Sequence, residues 1–196
     1  MISSYLEELI LKLDDIKQIV EALLIASPVP LTEARVNSCL GDESNSAPPL
    51  TEVIESLQND YETTGRSFMI KRVAGGYQLI TRAEYEHYVK GLFAKSGKLR
   101  LSQAALETLA IVSYRQPVTR NDIEAIRGVN SDSSLRTLLD RKLLEIRGRE
   151  EGPGRALLYR TSTEFLQYFG LDSIKDLPKL RELEDLLGED QENLTA

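Results

Sequence analysis

Side-chain chemistry in this chain has little to start from, because it holds one histidine, His87, and one cysteine, Cys39. A zinc site draws several such ligands from short spacings, so single copies exclude the Cys/His metal clusters. His87 lies in the acidic, aromatic run EYEHY, expected to be helical, and reads as an ordinary, partly exposed histidine. Cys39 falls on the apolar side of a short helix and reads as a small core residue rather than a nucleophile. The carboxylate pairs Asp14-Asp15 and Glu150-Glu151 are adjacent, which points their side chains apart and suits solvation better than paired acid and base work. The glycines of GGY and EGPGR precede no helix whose N-terminus could cradle a phosphate. No catalytic residue, cofactor or metal ligand is therefore expected.

What remains is charge and surface. With 24 basic and 31 acidic residues the net charge is -7, which weighs against a protein whose whole surface grips nucleic acid or anionic lipid. The charge is uneven: residues 99–160 carry 11 basic and 8 acidic side chains, while residues 1–98 and the last stretch are net acidic. Within the basic part, Arg136, Arg141 and Lys142 sit with Asp132 and Asp140, and Arg147, Arg149 and Arg155 with Glu150 and Glu151. Three readings stay open for them: a solvated mixed-charge face, a weak DNA contact, or a surface for an acidic protein segment. One cysteine allows no internal disulfide, no basic leader opens the chain, and no run approaches a membrane span; a soluble cytoplasmic protein is expected.

Helices must position any such surface. Ser4 with Glu7 forms a capping box, and Leu6, Leu9, Ile10 and Leu13 recur at helical spacing behind it. Ile16, Ile19, Val20, Leu23 and Leu24 extend the pattern until Pro28 and Pro30 end it. Thr32 opens a second helix with Val36, Cys39 and Leu40, closed by Gly41. The polar segment DESNSAPP, residues 42–49, reads as a surface loop. A third helix begins near Thr51 and lines up Val53, Ile54, Leu57 and Tyr61. FMIKRV and YQLITR, flanking Ala74-Gly75-Gly76, read as a β-hairpin.

The second half opens again on a helix, capped by Ser102 and apolar over more than one stripe through Ala105, Leu106, Leu109, Ala110 and Val112, so it is expected to be buried. Gln116-Pro117 stops it, since a residue before proline is pushed out of the α region. Thr119 restarts a helix, with Asp122 as the partner of a short capping box, Ile123 and Ile126 on one face, and Gly128 at the left-handed C-cap.

The halves repeat each other. Glu21, Leu23, Ile25, Ser27, Pro30, Thr32 and Gly41 align with Glu107, Leu109, Ile111, Ser113, Pro117, Thr119 and Gly128 once one residue is allowed in the turn. The third helix answers to Leu135, Leu138, Leu139 and Leu143 behind Ser131 or Asp132, and the glycine hairpin to Arg147 through Tyr159. At the exits, Thr81, Glu84, Tyr85 and Tyr88 match Thr161, Glu164, Phe165 and Tyr168. Three helices followed by a two-stranded hairpin describe a winged helix. The expected fold is mainly α with small β-hairpins, an α+β chain of two tandem winged-helix domains. They span residues 1–98 and 99–177, joined around residues 94–100, with a short helix at Leu180, Leu183, Leu186 and Leu187 and an acidic tail over 178–196. LDSIKDLPKL after Gly170 looks like a strap. The first domain's third helix offers Glu52, Glu55, Asp60 and Glu62 and no cation, which phosphate would avoid.

Leu101 to Leu180 closely resembles the bacterial segregation and condensation protein B family through the blocks AALETLAIVSY, QPVTR, IEAIRG, LRTLL, PGR and EFLQYFGL. The first half agrees more loosely through IVEALLIASPVPL and GGYQL. The resemblance implies a non-catalytic accessory subunit of bacterial condensin, a nucleoid-associated homodimer paired through its N-terminal domain. It also implies a C-terminal domain that binds the kleisin, segregation and condensation protein A, and through it joins the structural maintenance of chromosomes ATPase. DNA contact is then indirect or weak; the rival reading is a DNA-binding regulator acting through the second domain. Candidate kleisin contacts, expected to be exposed and chosen as turn and helix-edge residues beside an apolar ring, are Tyr114, Arg115, Gln116, Arg120, Arg127, Arg136 and Arg155. Candidate dimer contacts are Leu6, Leu9, Ile10 and Leu13.

Overall fold

The structure is a computed structural model that describes residues 2–41, 44, 47–93, 101–152 and 154–179, with the side chains of residues 2–13 left out. The first helix already begins at Ile2, so Ser4 lies inside it and not at the N-cap expected of a Ser4/Glu7 capping box. Residues 42, 43, 45 and 46 of the polar loop, the junction 94–100 and the segment from Leu180 onward lie outside the described residues.

Helix α1, Ile2–Ala26, is continuous, as expected of a stretch free of proline and glycine. It buries Ile16, Val20 and Leu24, spaced four apart on one stripe. Helix α2, Glu33–Leu40, starts at Thr32, whose hydroxyl accepts the N–H of Arg35, and α3, Leu50–Thr63, buries Leu50, Val53, Ile54, Leu57 and Tyr61. Tyr61 donates to Glu21 at 2.8 Å, and Lys17 pairs with Asp60 at 2.5 Å, so α3 is tied to α1 at two points. Burial, then the Glu21 bond, pushes the Tyr61 hydroxyl above the ordinary tyrosine range, which keeps it a donor.

The first hairpin pairs β1, Phe68–Val73, with β2, Gly76–Thr81, from Phe68↔Thr81 to Val73↔Gly76. Its two-residue turn, Ala74 and Gly75, has φ of 51° and 76°, the left-handed pair of a type I′ turn. Gly76 has a separate reason to be glycine: a Cβ there would stand 3.0 Å from the carbonyl oxygen of Leu31. That close approach exists because Leu31 and Tyr77 exchange backbone hydrogen bonds at 2.7 and 2.9 Å. A 3₁₀ turn, Ala83–Tyr85, leads into α4, Glu86–Phe93.

The same order recurs with α5, Gln103–Arg115; β3, Val118–Thr119; α6, Arg120–Arg127; α7, Asp132–Asp140; β4, Leu144–Arg149; β5, Leu157–Thr161; and α8, Thr163–Phe169. β5 is central, with β4 and β3 antiparallel on either side, and Val118 opposes Tyr159 as Leu31 opposes Tyr77. A 3₁₀ turn, Ile174–Asp176, follows α8. Two cores result. One gathers Ile16, Val20, Leu24, Val53, Ile54, Leu57 and Ile70; the other gathers Leu109, Val112, Ile123, Leu135, Leu138, Leu144 and Phe165. Ile123 and Leu138 are fully buried, each worth about 1.5–3 kcal/mol of transfer from water. The chain is thus a tandem of winged helices, α+β with small antiparallel sheets.

Three expectations about burial are corrected. Cys39 is exposed, because α2 buries only Val36 and Leu40, and Cys39 falls at the edge of that stripe. Helix α5 is not buried all round: Leu106 and Ala110 face outward while Ala105, Thr108, Leu109 and Val112 face in. Ile126 does not share the burial of Ile123 and stands 55% exposed.

Candidate functional site

The surface built by α5, α6, α7 and the second wing starts from its caps. Thr119 accepts the N–H of Asp122 at 3.3 Å, and the Asp122 carboxylate accepts the N–H of Thr119 at 3.0 Å and its hydroxyl at 2.6 Å. Those bonds favour the charged carboxylate and hold Asp122 below its ordinary range, the Thr119 hydroxyl contributing most. Gly128, at φ 73° and ψ 4°, closes α6 in the left-handed region.

The seven candidate contacts divide by what they touch. Tyr114 donates its hydroxyl to the carbonyl of Pro178 at 2.8 Å and so fastens the strap to α5. Gln116 accepts from the N–H and hydroxyl of Thr161. Arg120 pairs with Glu124 at 3.0 Å and Asp132 at 2.5 Å, and Glu124 also accepts the N–H of Ser131, so one network joins the starts of α6 and α7. Arg127, expected to be exposed, is instead the most enclosed of the seven, its side chain 6% exposed because Glu107 and Ser131 hold it against the turn. It donates to Glu107 at 3.2 Å and to Ser131 at 3.1 Å, while its Nε is buried without an acceptor. Arg115, Arg136 and Arg155 are exposed, on the end of α5, the middle of α7 and the second wing, and their side chains form no ion pair or hydrogen bond among the described residues. Leu6, Leu9, Ile10 and Leu13 belong to the first half of α1, and their side chains lie outside the described residues.

The repeat extends to these contacts. Glu21 and Glu107 are equivalent in sequence, and each anchors its unit's first helix to a later one, Glu21 through Tyr61 and Glu107 through Arg127. The third helices differ in charge as expected: Glu52, Glu55, Asp60 and Glu62 are all exposed on α3, whereas α7 exposes Arg136 between Asp132 and Asp140.

Sequence reasoning about the site passed over a set of exposed apolar side chains. Tyr88 and Leu92 on α4 are 75% and 79% exposed, and Tyr168 and Phe169 on α8 are 67% and 45% exposed. Tyr168 packs edge-on to Phe169 with ring centroids 5.1 Å apart. The available signal was the repeat itself, since Tyr88 and Tyr168 occupy equivalent positions; exposed aromatics of this size are typical docking material. A cleft of about 800 Å³ runs between the first hairpin's tip and the second unit, lined by Gln116, Glu145, Arg147, Arg160, Asp172 and Ser173 among others. Glu145 and Arg160 are ion-paired there. Among the described residues no three His, Cys, Asp or Glu side chains converge to hold a metal, and no helix is long and apolar enough to cross a membrane. His87 is exposed, with the Tyr88 ring 5.7 Å away.

Such a surface presents exposed arginines and apolar rings. The family model of the segregation and condensation complex subunit ScpB matches residues 18–180. Segregation and condensation protein B of Symbiobacterium thermophilum is 49% identical over 162 residues, covering 83% of this chain and 72% of that one. Its counterpart in Syntrophotalea carbinolica is 46% identical, covering 90% of this chain and 88% of its own. A solved dimer of a ScpB N-terminal domain complexed with a ScpA peptide is 31% identical, covers 41% of this chain and 96% of that one, and has a TM-score of 0.35. The chain belongs to the segregation and condensation complex subunit ScpB family.

Proposed function

We propose that this chain is a non-catalytic accessory subunit of a bacterial condensin. It is a homodimeric adaptor that binds the kleisin, segregation and condensation protein A, and through it the structural maintenance of chromosomes ATPase. Its work is chromosome condensation and partition in the cytoplasm, at the nucleoid. The observation that carries this reading is membership of the ScpB family over residues 18–180. The division of labour is an N-terminal winged helix for dimerisation over residues 1–98, a C-terminal one for kleisin binding over 99–177, and a helix with acidic tail over 178–196.

The unpaired arginines support a protein partner. Among the described residues Arg115, Arg136 and Arg155 have no side-chain contact to lose when they meet an acidic segment, whereas Arg120 and Arg127 would have to leave one. ATP chemistry belongs to the partner ATPase, for the surface described above holds no titratable cluster of its own.

Co-expression with the kleisin, followed by co-purification and mass measurement by light scattering, tests the proposal. The expected result is a dimer alone and a stoichiometric complex with the kleisin. Loss of the kleisin on washing, or ATP turnover by this chain by itself, overturns it. A DNA shift that falls steeply with salt, without kleisin retention, puts the DNA-binding regulator in its place.

A further inference from the structure

The tip of the first wing is docked on the strap of the second unit, and one carboxylate takes two of the contacts there. Asp172 Oδ1 accepts the backbone N–H of Gly75 at 2.8 Å, and its Oδ2 pairs with Nε of Arg72 at 2.9 Å. Beside it the N–H of Ala74 donates to the carbonyl of Leu171 at 2.9 Å. The two ends of the Gly75–Asp172 bond are 97 residues apart in the chain.

Both sides of this junction are held in place. The I′ turn fixes the N–H groups of Ala74 and Gly75 at the end of a fully paired hairpin. On the strap, Asp176 accepts the N–H groups of Asp172 and Ser173 at 3.0 and 2.8 Å, and Leu171, Ile174 and Leu177 pack against the second core. Among the described residues the Asp172 carboxylate has no partner inside its own unit. Its charge and its acceptors serve the other unit alone.

We propose that Asp172 is an interdomain latch: it clips the tip of the first wing to the second winged helix and thereby sets the angle between the two units. Apart from such contacts the units are joined through residues 94–100. The latch also forms one wall of the cleft, since Ala74, Gly75, Asp172 and Ser173 line it together. The latch can be released: Arg72 and Asp172 are 63% and 31% exposed, so salt screens their attraction, and the N–H groups of Gly75, on the carboxylate, and Ala74, on the Leu171 carbonyl, carry the rest. The first wing is then engaged within the chain, with its arginine facing a carboxylate where a DNA-binding wing would face phosphate.

Two spin labels on the full chain read the angle directly. Cys39 is exposed in the first unit and takes one label; Ser133→Cys on the exposed face of α7 takes the other. Labelled chain is diluted with unlabelled chain so that only intrachain distances contribute. The expected result is one narrow distance distribution for the parent and a widened one for Asp172→Ala and for Arg72→Ala, with melting curves unchanged. Asp172→Asn, which keeps an acceptor for Gly75 and loses the charge, falls between. If Asp172→Ala disturbs the strap itself, Arg72→Ala, on the opposite unit, still reads the latch. A distribution already wide in the parent, or one that neither Asp172→Ala nor Arg72→Ala alters, overturns the proposal.

Discussion

Gln116 satisfies both donors of Thr161: its side-chain carbonyl oxygen accepts the backbone N–H at 2.8 Å and the hydroxyl at 3.0 Å. Its amide nitrogen donates to the carbonyl of Ser113 at 3.3 Å, so one side chain ties the end of α5 to the end of β5. Gln116→Ala strands two half-buried donors, a loss of about 1–3 kcal/mol. Urea unfolding followed by circular dichroism reads it as a lower midpoint at unchanged slope. Gln116→Glu, which retains the acceptor, loses less. An unchanged midpoint for the alanine variant shows instead that Gln116 is available to a partner.

The same residue shows where sequence reading reaches its limit. Local features were legible because their partners lie within a few residues: Thr119 with Asp122, Ser102 with the N–H of Ala105, Gly128 at its cap, and the Ala74-Gly75 turn. The tandem repeat was legible because both copies keep their cap and turn residues, down to the two glutamates on the first helices. Tyr114 and Gln116 were chosen as turn and helix-edge residues, but Gln116 is half-buried and their partners lie 64 and 45 residues away, beyond the reach of spacing. Cys39 failed for a different reason. On an eight-residue helix two buried positions suffice, and a stripe drawn through three apolar residues is too wide. The docking of Asp172 on Gly75 left no pattern at all, because it depends on where two independent folds meet.

Acid should loosen α6. Asp122 is held below its ordinary value by the hydroxyl and N–H of Thr119, so its contribution is present above the unfolded value, about 3.9, and fades as pH falls through the lower folded value. Asp122→Asn removes that dependence. The stability difference between parent and variant should therefore be constant near neutrality and shrink below about pH 4. A difference that stays level into acid means the box does not depend on the charge of Asp122.

The proposed dimer contact is the first half of α1, on the spacing of Leu6, Leu9, Ile10 and Leu13. Helix α1 spans 25 residues, and among its described side chains it buries Ile16, Val20 and Leu24 in the first core. Leu6→Glu combined with Leu9→Glu places two charges on the proposed seam, and desolvating them is costly enough to dissociate an ordinary helix interface. Light scattering should then report the monomer mass with unchanged helicity. A dimer mass moves the interface to another part of the first unit.

Arg127 and Arg136 are nine residues apart and should respond in opposite ways. Arg127 is enclosed and bonded to Glu107 and Ser131, so Arg127→Ala breaks the tie between α5 and the α6–α7 turn and costs about 1–3 kcal/mol of stability. Arg136 is exposed and unpaired among the described residues, so Arg136→Glu should leave stability within about 0.5 kcal/mol. Its effect should appear on the kleisin instead: weaker capture, and an affinity less sensitive to salt, because an attraction between opposite charges has become a repulsion. Adding Arg155→Glu should deepen the loss, since that side chain is exposed on the neighbouring wing and unpaired among the described residues. The measurement is a pair of curves for each variant, thermal melting and kleisin binding at two salt concentrations. If Arg136→Glu lowers the melting point while binding holds, α7 is a structural helix only, and the kleisin surface must be sought among the exposed rings of Tyr88, Tyr168 and Phe169.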